Sequence, residues 1–427
     1  MIFFRVTHNI NIKTTDGMLV NYFRFKAPAS IENETVYITT YDDFIDLKEI
    51  FAKIDKNKYV PKMLNESNVR LNKNFPIELG IPSKFEFNLE KNERQEEFID
   101  LSPVDIYKQL KYKDKSEIKL VIIGGVGKSI SQIIASCTAL RILHAKLKEL
   151  YREVKMDVYI NASNNSYFTR DKDIYKTQDY INEILPLSIN TKKICEYDYY
   201  IDNSIDMTKL LDLNYVDAWL FKFGIDYKKI KDEDKYNYLN TAHFKTENSL
   251  KNKILDARKK GKLLLFHPYS ANIEKSVPQA FASEYLKELL VKYDEYIIVT
   301  TLQIDPKIKA DNILDLTAYS RSINDFIYII SCMDEIITTD TSTLHISDAF
   351  LIPTIAIFTD KKYEKKVKYY KYVKPIYMKD KSKNLSKFNF ENDALIIYKF
   401  EAWKELNVDK IIKLLDKFWY NNELLKN

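Results

Sequence analysis

The chain has 427 residues and a mass of 50.5 kDa, too long for one ordinary core, so two or three domains are expected. Apolar residues at 45% and charged residues at 30% suit a folded globular chain and exclude extensive disorder. A formal charge of +5 over this length is too mild to imply nucleic acid, and no window approaches the roughly 18 apolar residues of a spanning helix, which leaves at most peripheral membrane association.

Three scattered cysteines, Cys137, Cys195 and Cys332, exclude a complete disulfide framework and offer no CxxC metal spacing; a reducing cytoplasm is the simpler setting. The opening "MIFFRVTHNINIK" lacks the charged n-region and long apolar core of a secretory signal. Residues 1–115 read as an accessory module, β-rich or mixed. Within it, apolar residues alternate on both sides of Asp16-Gly17, which predicts a hairpin, and a polar stretch over 62–97 follows.

From about 117 the pattern becomes strand, turn, helix. "IKLVII" predicts a strand, "GGVG" a turn, and "SISQIIASCTALRILHAKLKELY" a helix with apolar residues three and four apart. "MDVYINA" and "YDYYIDNS" predict buried strands and "NYVDAWLFKFGI" a helix. After a Lys-rich helical connector over 246–262 the alternation restarts with "LLLFHPYS" and runs through "EYIIVTT", "DEIITTD" and "PTIAIF", each strand followed or preceded by a helix. This alternation predicts two α/β units with parallel sheets and helices on both faces, over 116–255 and 256–427, with ligands beyond the carboxyl ends of the strands and a cleft between the units. The terminal "VDKIIKLLDKFWYNN" predicts an amphipathic helix that closes the second unit and packs back on the first.

Three of the seven glycines, Gly124, Gly125 and Gly127, crowd into four residues. Such a turn, followed by Lys128-Ser129, invites comparison with a phosphate-gripping loop. A standard P-loop needs glycine where Ile122 stands. "GGVGKS" comes closer to the loop of ParA-like partitioning ATPases, but its leading Lys is Ile123 here, and no convincing acidic strand end for magnesium follows in the same domain.

The second unit carries a more specific pattern: His267-Pro268, Lys275 with Pro278, Asp340-Thr341-Ser342 with His345, and Pro353 after the helix. In order and spacing this resembles the carboxyl-terminal domain of glycosyltransferase family 9, the heptosyltransferase-like enzymes of GT-B fold. The resemblance implies two Rossmann-like domains facing a cleft and an inverting, metal-independent transfer of a heptose-like sugar from a nucleotide-diphosphate donor. No cofactor is implied beyond that donor substrate. It also implies that Asp340 binds donor-sugar hydroxyls, that Lys275 neutralises phosphate, and that Thr341, Ser342 and His345 open a helix whose N-terminus favours an anion. His267 would shape the strand-end turn, and the glycine turn would lie beside the ligand. Plainer roles stand beside these: a helix N-cap for Asp340, a core histidine for His345, a surface lysine for Lys275.

The family places its general base, an Asp, directly after the glycine turn, where this chain has Lys128. Three alternatives follow. Asp202, at the end of its strand, supplies the base; Lys128 serves an anionic acceptor or acts as base from a dry site; or the chain binds sugar nucleotide without transferring it. The extension ahead of the first strand resembles the autotransporter-glycosylating branch, without that branch's cysteine cluster for iron. The implied partners are a nucleotide sugar and a glycan or protein acceptor, in a bacterial cytoplasm at the inner face of the membrane, with oligomers allowed. The tract "KKYEKKVKYYKYVK" at 361–374 reads as a solvated helix face, with binding of an anionic glycan as the alternative.

Overall fold

In the computed structural model, residues 1–24, 35–55, 57–65, 69, 71–83, 87–88, 93–94, 101–382, 385 and 387–423 are described. Parts of the polar stretch assigned to the accessory module, including 84–86, 89–92 and 95–100, lie outside them. The chain divides into two units, Met1–Lys235 and Tyr236–Asn427. The division differs from the expected boundaries at 115 and 255, and the reason lies in the strand pairing of the first unit.

The strand Ile2–Val6 sits between Tyr37–Thr39 and Pro61–Leu64 in an antiparallel sheet whose fourth strand, Ile189–Asn190, comes from much later in the chain. A second sheet is parallel, in the order Ile181–Pro186, Glu153–Ile160, Glu117–Ile123, Tyr199–Asp202, Ile77–Glu78. The early residues thus contribute strands to both sheets and form no module of their own. The hairpin predicted about Asp16-Gly17 is present, pairing Ile10–Lys13 with Leu19–Tyr22.

Side-chain alternation along Glu117–Ile123 separates two faces. Val121 and Ile123 pack with Phe3, Val36, Ile38, Leu187 and Ile189, so the antiparallel sheet covers one face of the parallel one. The helix Ile130–Lys148 packs on the neighbouring strand Glu153–Ile160 and against the helices Phe168–Tyr175 and Tyr215–Lys222. Helices on both faces were expected; the amino-terminal sheet takes the place of one helical layer. The helix Tyr41–Asp55 is fastened by the buried Asp43, which accepts from Thr39 Oγ1 at 2.5 Å, Ser188 Oγ at 3.3 Å and the backbone N–H of Ser163 at 3.3 Å.

The second unit follows the expected layout. Its six parallel strands run in the order Ile313–Asp315, Tyr296–Thr300, Lys262–His267, Glu335–Thr339, Thr354–Phe358, Val373–Tyr377. Phe266, Ile337, Ile355 and Ile357 bury one face under the helices Gln279–Lys292 and Val408–Glu423, while Ala356 and Phe358 meet Leu344 and Tyr370 on the other. The terminal helix, expected to pack back on the first unit, seats Val408, Ile411, Ile412 and Leu415 in the core of its own. Among the described residues no helix is long and apolar enough to cross a membrane.

Candidate functional site

Both parallel sheets reverse their strand order once. In the second unit the chain winds outward from Lys262–His267 in one direction and from Glu335–Thr339 in the other, so these neighbours form the switch point where ligands of open α/β sheets bind. Asp340 follows the second of these strands. Its Oδ2 accepts from Lys275 Nζ and from Lys366 Nζ, each at 2.7 Å, and Lys366 also reaches Asp360 at 3.1 Å. The Asp340 side chain is only 7% exposed. Burial pushes its pKa up, but attraction to Lys366 and Lys275 outweighs that and holds it below the ordinary value.

The helix Ser342–Ala349 begins two residues later, and its N-cap is Thr341, whose hydroxyl accepts from the backbone N–H of Thr343. The plain N-cap role considered for Asp340 is therefore filled by its neighbour. Ser342 is half-buried at the first helical position. Thr339 Oγ1 and Thr343 Oγ1 are buried without a hydrogen-bond partner among the described residues, beside a helix N-terminus that favours negative charge.

The two histidines are core residues. His345 is 2% exposed and its Nδ1 meets the Tyr370 hydroxyl at 2.5 Å. His267 bonds Thr301 Oγ1 at 2.9 Å and lies 5.6 Å from the Phe326 ring. Burial holds both imidazoles at about 4, so both are neutral near pH 7. They shape the strand end and the helix.

In the first unit the switch point lies between Glu117–Ile123 and Tyr199–Asp202, and a cavity of about 1000 Å³ opens beyond their carboxyl ends. Gly124, Gly125, Gly127 and Lys128 line it from the first strand, Asn203 and Ser204 from the second. The glycines answer to packing. Gly124 (φ +103°) has room for a Cβ only 2.8 Å from Thr40 Cγ2, and Gly125 (φ +67°) only 2.7 Å from the Tyr175 hydroxyl.

The turn does not have the form of a phosphate loop. Its N–H groups at Gly124, Val126 and Lys128 already donate to Tyr159 O, the Tyr175 hydroxyl and Gln132 Oε1. Among the described residues five carboxylates line the cavity, Asp42, Asp46, Glu49, Asp171 and Asp206, against four cations, Lys48, Lys128, Arg170 and Lys209; a phosphate cradle would carry the opposite balance.

Lys128 is 65% exposed and ion-paired with Asp42, which is not the dry site that its use as a base requires. Asp202 does not line the cavity. It is 3% exposed and paired with the amino group of Met1, and its Oδ1 accepts from Ser204. Burial raises its pKa, but the amino-terminal charge and Lys222 outweigh that and leave it lowered. A sealed, paired carboxylate of this kind cannot reach an acceptor hydroxyl.

Sequence reasoning missed Lys366 and the acidic face of the helix Tyr41–Asp55. Lys366 lay in the Lys/Tyr tract taken for a solvated face, yet it is 16% exposed and bound to two carboxylates. Asp42, Ile45, Asp46 and Glu49 recur at three- and four-residue spacing, the one local sign that they share a face.

No known family profile matches the chain, and no curated relative does. Solved structures similar to it include Escherichia coli ADP-heptose lps heptosyltransferase II, at 13% identity and TM-score 0.48, covering 72% of this chain and 99% of that one. A glycosyl transferase family 9 protein of Veillonella parvula is similar at 9% identity and TM-score 0.46, covering 70% and 98%. The iron-containing dodecameric glycosyltransferase TibC of enterotoxigenic E. coli is similar at 10% and 0.40, covering 71% and 76%. At these identities and TM-scores the likeness carries no argument about chemistry, which rests on the chain's own side chains.

Proposed function

We propose that this chain is an inverting glycosyltransferase that takes a heptose-like sugar from a nucleotide-diphosphate donor to a surface glycan or protein acceptor, without a metal, in the bacterial cytoplasm. The observation that carries the reading is the convergence of Lys275 and Lys366 on Asp340 at the switch point of the second unit, next to a helix N-terminus. Two ammonium groups share one carboxylate oxygen there. A diphosphate offers them two anionic groups, and its arrival frees Asp340 to accept hydrogen bonds from sugar hydroxyls. The same lysines then stabilise the charge that grows on the departing diphosphate, the step on which transfer depends.

A second reading, binding without transfer, is favoured by Lys128 in the place of the expected base and by the sealing of Asp202. A thermal-shift series on the full chain tests both readings against an ATPase. Nucleotide-diphosphate sugars are expected to raise the unfolding temperature with concentration, and Lys275→Ala combined with Lys366→Ala to remove the shift. A shift with ATP alone, or one that survives the double substitution, would sink the donor site. A shift without release of nucleoside diphosphate selects the second reading.

A further inference from the structure

Among the described residues the cavity of the first unit holds five carboxylates, and four of them are committed or remote. Asp42 is paired with Lys128. Asp171 accepts from both Nε and Nη2 of Arg170, at 2.8 and 2.6 Å. Asp206 caps a short helix, accepting from the N–H and hydroxyl of Thr208. Glu49 is exposed, nearly one turn farther along the helix Tyr41–Asp55.

Asp46 is different. It is half-buried, its Oδ2 accepts a single hydrogen bond from Asn161 Nδ2 at 3.0 Å, and its Oδ1 takes none among the described residues. Burial raises its pKa; the Asn161 bond opposes this, Glu49 and Asp42 add to it, and Lys128 opposes it. A carboxylate shifted upward is a stronger base than an ordinary one, provided it remains ionised at the working pH. Around it the cavity offers the means to hold a polyhydroxylated ligand. Asn161 Oδ1 and Asn203 Oδ1, on residues that line it, are buried acceptors without a partner among the described residues, and Tyr41 and Tyr167 add aromatic surface.

We propose that this cavity binds the carbohydrate acceptor and that Asp46, carried by a helix from the amino-terminal segment, is the catalytic base that Lys128 cannot be. The assignment rests on the glycosyl-transfer reading above. In the step, the acceptor O–H proton passes to Asp46 Oδ1 while the acceptor oxygen forms a bond to the anomeric carbon of the donor sugar. The bond from that carbon to the diphosphate oxygen breaks, its electron pair leaves with the nucleoside diphosphate, and Asp46 returns its proton to water. Lys128 keeps a role in this arrangement: by engaging Asp42 it removes one negative charge from beside Asp46.

The test uses the full chain, a panel of ADP- and UDP-activated hexoses and heptoses as donors, methyl hexosides and methyl heptosides as acceptor probes, and nucleoside diphosphate release as the readout. Asp46→Asn keeps the hydrogen bond from Asn161 and is expected to lower kcat by about 10²–10⁴-fold. Donor KM and the donor thermal shift are expected to stay within twofold, and Asp46→Glu to retain more activity than Asp46→Asn. Asp42→Asn and Glu49→Gln should each cost less than tenfold. Turnover by Asp46→Asn within threefold of the parent chain overturns the assignment, as does loss of its donor thermal shift, which would mark a structural role. A parent chain that binds a donor but releases no nucleoside diphosphate with any probe overturns it too. A parent chain that binds no nucleotide sugar sinks the transferase reading itself.

Discussion

In the first unit the ends of Glu117–Ile123 and Tyr199–Asp202 open on a cavity of about 1000 Å³, whereas in the second the ends of Lys262–His267 and Glu335–Thr339 close on two lysines and a carboxylate. Both places are topologically alike, since each lies where the strand order reverses. Their difference comes from what reaches them from outside the sheet. A helix of the amino-terminal segment brings an acidic face to the first, and the short helix Tyr363–Lys366 after Thr354–Phe358 brings Lys366 to the second. Topology thus fixes where a ligand can sit, while segments far away in sequence decide its chemistry.

The largest expected effect falls on the rigid side of the first site. Gly125→Ala adds a Cβ at φ +67° only 2.7 Å from the Tyr175 hydroxyl. A left-handed backbone costs about 1–2 kcal/mol for a residue with a Cβ and overpacking about 1–3 kcal/mol, so a loss of about 2–5 kcal/mol is expected in urea or thermal unfolding. A loss under about 1 kcal/mol would mean that the turn is looser than its packing implies.

Asp340→Ala breaks the closed site of the second unit. Removing one member of a sealed ion pair costs about 3–5 kcal/mol, but Lys366 keeps Asp360 and Lys275 is a third exposed, so about 2 kcal/mol is expected. Because the folded-state pKa of Asp340 lies below its ordinary 3.8, its contribution is present above that value and is lost as pH falls through the folded value. The gap in stability between the parent chain and Asp340→Asn should therefore shrink as pH drops below about 4. An unchanged gap would remove the ion cluster from the account.

Asp348 sharpens the comparison at the other end of the helix Ser342–Ala349. Burial pushes its carboxyl up to about 7, against the hydrogen bonds it accepts from the N–H and Nδ2 of Asn237. Here the folded value is the higher one, so the stabilising contribution is complete below 3.8 and is lost as pH rises through about 7. Asp348→Asn is expected to unfold at a higher temperature than the parent chain at pH 8 and at the same temperature near pH 4. The smallest effect belongs to the exposed pair at the open site. Lys128→Ala should change stability by less than about 1 kcal/mol. If it instead abolished an ATP hydrolysis of the parent chain, the loop would be a phosphate grip after all.

What could be read in advance followed the range of the interactions. Periods of two and of three to four residues are local, and they located most strands and helices from 117 to 358, though not the helix Phe168–Tyr175 or the strands Ile181–Pro186 and Ile313–Asp315; the segment Asp340–His345 stood out by its resemblance to a family motif. The pairing of Lys128 with Asp42 spans 86 positions, and that of Lys366 with Asp340 spans 26. Neither has a local trace. Lys366 is one of 66 basic residues, and nothing in its neighbours separates it from those that face water. Asp202 misled for the same reason: its place at a strand end was legible, but the amino group that covers it comes from 201 positions away. The expected accessory module failed because a two-residue strand at Ile189–Asn190 is too short to show any period.

That short strand also constrains how the molecule is made. During synthesis, Ile2–Val6, Tyr37–Thr39 and Pro61–Leu64 leave the ribosome about 125 residues before the strand that completes their sheet, an interval of roughly 6–25 s at 5–20 residues per second. Until then Tyr37–Thr39 presents an open edge to whatever chain is nearby. The nascent protein therefore passes through a window in which a chaperone or a neighbouring copy can compete for that edge, and slowing translation between residues 64 and 189 should lower the yield of folded chain.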